Sequence, residues 1–226
     1  MQVNISANIA EVTKDLRRIE KKQIPWSIKL ALDETAKRIA KDKGQGVMGR
    51  AADKTFSTKS GGKGATNFTT RGFFYKQATK QNLTSEVFFS EDRGDFMELQ
   101  VFGGTRFPRK RTITHSTKNS HKYLDRYGNF KKGAIDTMLK DKTKFFTGVP
   151  HGAQFESEGI WERYGRGSKQ GGQRIRMVAA LLDQAEYRPL FPFFKIGEHF
   201  VFNDQKGFTP IFRDRLEWVL RREGLL

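Results

Sequence analysis

The stretch from Ile24 to Lys43, IPWSIKLALDETAKRIAKDK, contains the clearest helical pattern in this chain. Pro25 suits the first turn of a helix, where the N–H that it lacks would have no partner. Apolar residues recur at helical spacing and predict one buried stripe, made of Ile28, Leu32, Ala36, Ile39 and Ala40. The opposite face is charged, and two pairs lie four residues apart in the favourable order: Asp33–Lys37 and Glu34–Arg38. The sequence therefore predicts an amphipathic helix that packs on a sheet.

Composition limits the classes of protein to which this chain can belong. It has 226 residues, with 42 lysines and arginines against 25 acidic residues and a formal charge of +17. A cation excess of this size favours polyanionic partners, either nucleic acid or acidic protein surfaces. The chain has no cysteine, which excludes disulfides, thiolate metal ligands and a thiol nucleophile. The first residues lack the pattern of a signal peptide and no apolar run approaches a membrane span, so we expect assembly in a cytoplasm.

Apolar periodicity on both sides of the helix predicts an α+β fold. An earlier helix is predicted with apolar positions Ile9, Val12, Leu16 and Ile19. Four cations lie late in it, where they suit the helix dipole: Arg17, Arg18, Lys21 and Lys22. Strands are predicted where aromatic and β-branched residues concentrate, at Thr69–Ala78, Ser85–Ser90, Gly159–Tyr164 and Gln173–Gln184. Phe96–Phe102 is compatible with either a strand or a helix. Late helices are predicted at Phe193–Phe202 and from Thr209-Pro210 onward. We expect a single domain, residues 1–226, in which N-terminal and C-terminal helices flank a mostly antiparallel sheet.

Two segments lack this periodicity and are predicted to be long basic loop excursions. The first, residues 49–67, is rich in Gly, Lys, Ser and Thr, and we expect a loose arm. The second, residues 105–146, carries 12 basic and 3 acidic residues. Its only local signals are a turn at Tyr127–Asn129 and a short helix at Lys132–Leu139. A segment this long without clear structure is usually a functional insertion, or one that a partner orders.

The second excursion holds the residues that we expect to contact a partner. Phosphate contact requires little beyond exposed positive charge. The predicted contact residues, for DNA or a neighbouring protein, are Arg106, Arg109, Lys110, Arg111, Lys131 and Lys132. Interleaved aromatic residues could stack on bases: Phe107, Tyr123, Tyr127 and Phe130. The same charge suits a loop that orders against an acidic neighbour in an assembly, and the sequence contains no recognised DNA-reading module.

Motifs for catalysis or cofactor binding are weak. Gly44–Gly49 spells G-x-G-x-x-G, but it follows a helix, whereas a dinucleotide site requires a preceding strand. The four histidines lack the spacing of metal ligands. A Mg²⁺-dependent nuclease needs clustered acids, and the one modest cluster is Glu156, Glu158, Glu162 and Asp183, which a solvated strand edge also explains. We therefore predict no enzyme activity, no catalytic residue, no metal and no cofactor.

Several segments together resemble a known family, the bacteriophage tail-completion proteins of the minor tail protein Z type. The matching segments, in chain order, are IKLALDETAKRIAKD, FTTRGFFYKQATKQNLTSEVFFS, FMELQVFGGTRFPRK, DRYGNFKKGAI and YRPLFPFFKIGEHF with the helix that follows. The most distinctive pieces are FGGTR and RYGNFKKG, and the ordered set covers most of the chain from Ile24 to its end. The arm at residues 49–67 and the middle from Ile113 to Leu124 depart from the family pattern.

The resemblance implies a structural virion protein that is assembled in the bacterial cytoplasm and located at the phage neck or tail top. It implies a ring, expected to be six-fold, that completes the tail and joins it to the head connector around the DNA channel. The expected partners are further copies of the chain, the connector, tail-tube or terminator proteins and packaged DNA, with no membrane. The residues leave two alternatives open: a soluble nucleic-acid-binding protein that uses the basic loops and, with less support, a metal-dependent nuclease.

Overall fold

The computed structural model describes residues 9–41, 45–57, 64–108, 112–151, 158–165 and 174–225. These residues form an α+β fold with antiparallel strand pairs and with helices near both chain ends, which confirms the predicted fold class. The chain divides into two compact units. The first unit comprises Met1–Ala52, Asn67–Gly94 and Pro192–Leu226, and the second comprises Asp53–Thr66 and Asp95–Phe191. The assignment of all 226 residues to one domain stays a prediction.

Runs of helices and runs of strands follow one another along the chain. The helices are α1 (Ile9–Arg18), α2 (Ile24–Ala40), α3 (Val47–Thr55), α4 (Asn67–Thr70), α5 (Gly94–Phe102), α6 (Ala134–Lys140), α7 (Phe193–Val201) and α8 (Phe208–Arg222). The strands are β1 (Phe73–Lys76), β2 (Glu86–Phe89), β3 (Gly104–Arg106), β4 (Ile113–Ser116), β5 (Phe145–Gly148), β6 (Gly159–Tyr164), β7 (Arg174–Leu182) and β8 (Ala185–Tyr187). Single 3₁₀ turns lie at Glu91–Arg93 and His121–Tyr123. The predicted C-terminal helix forms and begins at Phe208, one residue before Thr209, with Gly207 as its N-cap residue.

The described part of the first unit starts with a continuous helical run. Helix α1 passes through one π-helical turn, Ile19–Gln23, directly into α2, and the backbone at Arg18, Gln23 and Ile24 is right-handed helical throughout. The backbone N–H of Ile24 donates to the carbonyl oxygen of Ile19, the spacing of a π-helix. The sequence predicted two separate helices. The cations that it placed near a helix end therefore lie inside a longer helix.

Helix α2 packs against α8 and against the β1–β2 hairpin. Its buried residues are Ser27, Ala31, Thr35, Ala36, Ile39 and Ala40. The predicted stripe is thus rotated, because Ile28 and Leu32 are only half-buried while small residues occupy the contact. The Glu34–Arg38 pair forms at 2.9 Å, but Asp33 pairs with Lys29 instead of Lys37. Asp33 also accepts a hydrogen bond from the Ala78 N–H at 2.7 Å, which ties the hairpin connection to α2.

Part of the segment predicted as a loose arm is helical, so that prediction is wrong for its first residues. Helix α3 buries Met48 and Ala52, with 1% and 0% exposure, at the i, i+4 spacing of a helix face. Gly49 permits a close approach to α4, because a Cβ there would lie 2.5 Å from the Thr70 carbonyl oxygen. Helix α4 also takes the start of the predicted Thr69–Ala78 strand. Residues 58–63 of the arm lie outside the described residues.

The second unit is built on a four-stranded antiparallel sheet in the order β4-β7-β6-β5. Its core contains Met138, Phe145, Ile160, Val178 and Ala179, with Tyr123, Phe130, Ala134, Ile135 and Leu181 packed against them. Strands β3 and β8 form a separate two-stranded sheet. The prediction of an irregular excursion over residues 105–146 is therefore wrong, because that segment supplies β4 and β5, while the short helix predicted at Lys132–Leu139 forms as α6. Short strands such as β4 (ITHS) have little periodicity of their own, and their pairing with the long β7 decides their structure.

Candidate functional site

The most highly connected charged group in the described chain is the carboxylate of Glu162, in the second unit. Its side chain is only 2% exposed. The Oε1 atom accepts hydrogen bonds from Lys122 Nζ at 2.6 Å and from the Tyr123 hydroxyl at 2.9 Å. The Oε2 atom accepts from Arg176 Nε at 2.8 Å. Lys144 Nζ lies 3.5 Å from Oε1, so three cations surround one buried anion. We call Glu162, Lys122, Tyr123, Lys144 and Arg176 the Glu162 cluster.

Strand register brings part of this cluster together. Glu162 on β6 lies opposite Arg176 on β7 and opposite Phe145 on β5, beside which Lys144 sits. Cross-strand partners share a face of the sheet, so the arginine fork reaches the carboxylate directly. The two strands are separated by the Gly-rich segment from 165 to 173, whose residues after Gly165 lie outside the described part of the chain.

A turn anchored on β7 supplies the other two members. The Ser120 hydroxyl is fully buried and donates to the Val178 carbonyl oxygen, while it accepts from the Thr117 N–H at 2.7 Å. Thr117 Oγ1 and Asn119 Nδ2 both donate to the Met177 carbonyl oxygen, at 2.7 and 3.0 Å. These bonds hold the chain just before the 3₁₀ turn, which places Lys122 and Tyr123 over Glu162.

The hydrogen bonds keep Glu162 ionised. Burial alone would raise the pKa of the Glu162 carboxyl, but the bonds from Lys122, Arg176 and Tyr123 outweigh it and lower that pKa to about 2. Burial lowers the pKa of Lys122, yet its bond to Glu162 produces a net rise. For Tyr123, burial is the largest cause of a raised pKa, and the neighbouring carboxylate adds to it.

This environment makes Glu162 unsuited to acid–base or metal chemistry. A carboxyl with a pKa near 2 stays ionised at neutral pH and is too weak a base to act as a general acid or base there. Its oxygens already bind cationic side chains, so a divalent ion would have to displace them. The remaining candidate acids offer little support: Glu158 and Asp183 are exposed, and Glu156 lies outside the described residues. Across the described ranges, no three His, Asp or Glu side chains are arranged to hold a metal ion.

The structure describes three of the six predicted contact residues. Arg106 is exposed at the end of β3, opposite Ala185. Lys131 and Lys132 are exposed after the Tyr127–Asn129 turn, and Lys131 Nζ donates to the Lys122 carbonyl oxygen at 3.0 Å. Lys131 is therefore a neighbour of the Glu162 cluster. Arg109, Lys110 and Arg111 lie outside the described residues.

Two of the aromatic residues proposed for base stacking have structural roles, so that proposal is wrong for them. Tyr123 makes an edge contact with Phe145 at 6.0 Å and bonds to Glu162, and Phe130 packs on the core. Tyr127 is half-buried and its hydroxyl accepts from Arg126. Phe107 is 66% exposed and remains accessible.

Large aromatic rings are exposed in both units. The second unit exposes Phe102 by 63% and Phe107 by 66%, and the first unit exposes Phe194 by 63% and Phe202 by 76%. Of these four rings, Phe107 alone was expected to be accessible, because apolar residues on predicted helices or strands are expected to face the core. The Glu162 cluster was not predicted from the sequence either. A signal for this cluster was present in the sequence, because GIWERY and QRIRMV flank one Gly-rich segment. Antiparallel pairing of these two stretches places Glu162 opposite Arg176.

Comparison with protein-family models, with curated proteins and with solved structures finds no match to this chain. In the described part of the chain, the helices also lack the combination of length and apolar composition that a bilayer crossing requires. Functional inference therefore depends on the side-chain arrangement and on the segments that resemble tail-completion proteins.

Proposed function

We propose that this protein is a structural component of a bacteriophage neck or tail top, where it forms a ring that completes the tail. In this proposal, the ring is six-fold and joins the tail to the head connector around the DNA channel. The protein acts by binding neighbours and has no catalytic role. Its location in the virion follows from this assignment.

The observation that carries the proposal is the exposure of large aromatic rings in both units. Phe107 and Phe202 are 66% and 76% exposed. Burying their apolar surface would be favourable by about 25 cal/mol for each Å² removed from water. A neighbouring subunit that covers these rings would remove their apolar surface from water, so they suit contacts between subunits. Heterologous contacts between such surfaces close into rings when the rotation between copies permits it. The ordered family-like segments support the same assignment.

The exposed cations are proposed to contact the partners of the ring. Arg106 and Lys132 have exposed side chains, and Lys131 adjoins the Glu162 cluster, which has more cations than anions. Such a surface suits either acidic neighbouring subunits or DNA in the channel. The nuclease alternative is disfavoured by the bonding of Glu162, because the best-buried acid of its candidate cluster is already occupied by cations.

Assembly of the purified chain tests the ring. We expect sedimentation to give a mass several times that of one chain, and negative-stain images to show closed rings with a central channel. The double variant Phe107→Ser/Phe202→Ser should sediment as smaller species, because each side chain is exposed in the single subunit and becomes buried on assembly. Its thermal melting should match the native chain, which separates lost assembly from lost folding.

The position in the virion requires a test in the phage that carries the gene. A nonsense mutation should yield DNA-filled heads without tails together with unattached tails, and supplying the protein in trans should restore infectious particles. Normal virions from the mutant, or a purified chain that stays monomeric at high concentration, would contradict the proposal.

A further inference from the structure

The first unit contains a basic pocket that the proposed ring function does not use. Its volume is about 670 Å³, within the range typical of ligand sites. It is lined by the π-helical turn and the start of α2, by the β1–β2 connection and by the end of α8. The cationic lining residues are Arg18, Lys21, Lys22, Lys80 and Arg222, with Gln23, Pro25, Trp26 and Glu223 completing the wall. We call this the α1–α8 pocket.

The helix dipole does not explain the cations of the π-helical turn. Cations stabilise the C-terminal end of a helix, where carbonyl groups lack partners. Here the helix continues through Lys21 and Lys22 into α2, so these residues lie in its interior. π-Helical turns are rare and occur frequently at functional sites. The helix dipole therefore does not account for Lys21 and Lys22, whose side chains are both exposed.

The pocket has an uncompensated positive charge. Glu223 is the acidic residue among its described lining, and it already pairs with Arg18. Among the described residues, no carboxylate lies within ion-pair distance of Lys21, Lys22, Lys80 or Arg222. Four cations that face one cavity create a local potential that attracts a polyanion.

One wall of the pocket is aromatic. The Trp26 indole lies at the first turn of α2, with Lys80 Nζ 5.0 Å and Lys29 Nζ 5.6 Å from its ring centroid. A base that stacks on this ring would displace one of the two ammonium groups. Lysine ammonium groups beside an indole provide both halves of nucleotide recognition, a charge for phosphate and a flat surface for a base. An acidic peptide would use the cations but has no group that needs the indole.

We propose that the α1–α8 pocket binds nucleotide units, with their phosphates on Lys21, Lys22, Lys80 and Arg222 and a base against Trp26. The ligand is either a free nucleotide or a stretch of single-stranded nucleic acid, which share this chemistry. The site does not depend on ring formation, and binding can be measured on the purified chain whatever its oligomeric state.

Anisotropy of a labelled oligothymidylate, measured over a range of salt concentrations, tests the site. At about 0.1 M salt, Lys21→Gln/Lys22→Gln should weaken binding by roughly 20-fold, since each lost single-strand contact removes about 0.7 from the slope of log affinity against log salt. The matched control is Lys195→Gln/Lys206→Gln, which makes the same charge change at two exposed positions of the same unit that do not line the pocket. The control should retain most of the affinity and the native salt slope.

Competition separates the two ligand sources and tests the role of the indole. A nucleoside triphosphate that displaces the oligonucleotide at comparable concentration identifies a free-nucleotide site, whereas weak displacement identifies a strand site, and both support the proposal. Trp26→Leu should weaken the oligonucleotide about fivefold and leave pyrophosphate binding unchanged, because pyrophosphate has no base to stack.

Three results would overturn the site. The first is an equal loss of affinity in the pocket variant and in the control, which would indicate diffuse attraction by the net charge of +17. The second is the absence of binding to any phosphate ligand at physiological salt. The third is oligoglutamate binding as tightly as the oligonucleotide with the same sensitivity to Lys21→Gln/Lys22→Gln. Failure of this site leaves the sedimentation and phage tests of the ring unaffected.

Discussion

Cations gather around a glutamate in both units of the molecule, but the two glutamates differ in burial. Glu162 is 2% exposed and receives hydrogen bonds from Lys122, Tyr123 and Arg176. Glu223 is 31% exposed and pairs with Arg18 alone. The buried carboxylate uses the cations around it to hold a sheet and a turn together. The exposed one leaves the cations of the α1–α8 pocket available, so charge of the same kind stabilises the fold in one unit and offers a binding surface in the other.

The largest effect is expected from Glu162→Gln. This change removes the anion that three cations share and leaves them close together around a neutral group. Loss of one partner from a buried ion pair typically costs about 3–5 kcal/mol. We expect the free energy of unfolding to fall by about 3–4 kcal/mol, measured by urea denaturation with unchanged dependence on denaturant concentration.

Glu158→Gln is the matched control, because Glu158 is an exposed acid just before the same strand. It should change the free energy of unfolding by less than about 0.5 kcal/mol. Equal losses in the two variants would show that Glu162 acts through net charge and not through the cluster.

Lowering the pH should remove the contribution that ionised Glu162 makes to the free energy of unfolding. The pKa of Glu162 is about 2 in the folded chain and its ordinary value is 4.5, so the folded state favours the ionised form. The stabilisation is complete above the ordinary pKa and is lost as pH falls from about 4.5 toward 2, which corresponds to about 3 kcal/mol. The gap in unfolding free energy between the native chain and Glu162→Gln should therefore close over this range. A gap that stays constant to pH 2.5 would refute the cluster as its source.

A smaller effect is expected from Tyr123→Phe. The variant keeps the ring contact with Phe145 and removes the hydroxyl that donates to Glu162. A hydrogen bond to a buried charged group contributes about 1.5–3 kcal/mol, and the two lysines can partly replace it, so we expect a loss of about 1–2 kcal/mol. Tyr127→Phe loses an exposed bond with Arg126 and should be nearly neutral by thermal melting. A larger loss of stability in Tyr127→Phe than in Tyr123→Phe would contradict the role of the Tyr123 hydroxyl in the Glu162 cluster.

The smallest effect on stability is expected from Glu223→Gln, and it distinguishes the two regions most directly. The Arg18–Glu223 pair is partly exposed, and such pairs contribute little, so stability should change by less than about 1 kcal/mol. Oligonucleotide affinity should rise a few-fold, because the change removes the acid of the pocket and frees Arg18. A loss of affinity would place Glu223 among the groups that organise the site.

Elements with strong local signals were predicted well from the sequence. Strand β6 runs from Gly159 to Tyr164 as predicted, and α7 and α8 form close to the predicted positions. The failures lie where the signal depends on a distant partner. Strands β4 and β5 have four residues each and are stabilised by β7 and β6, so their own sequences resemble loops. Helix α3 was missed because its glycine and lysine content concealed the spacing of Met48 and Ala52.

The predicted contact residues were chosen by the density of charge along the chain. That criterion found Arg106, Lys131 and Lys132, which are exposed. It overlooked Lys80 and Arg222, which are far apart in sequence and line one pocket. It also treated Tyr123 and Phe130 as stacking residues, whereas both contribute to the core. The spacing of residues along a chain indicates which side chains are close within one helix or strand. It does not indicate which helices and strands contact one another.

By itself, the sequence determined the α+β class, the positions of the longer helices and strands and the large positive charge, because these depend on composition and on local periodicity. Only the tertiary structure decided what the cations do. Strand register sets Arg176 opposite Glu162, and the hydrogen-bonded turn adds Lys122. Both cations therefore bind the buried carboxylate and stabilise the fold. Because the helix continues through Lys21 and Lys22, the dipole of a helix end does not account for these two cations. Both line the α1–α8 pocket together with cations from distant parts of the chain. The energy of a charge depends on its burial and on its nearest partners, and both are properties of the folded chain.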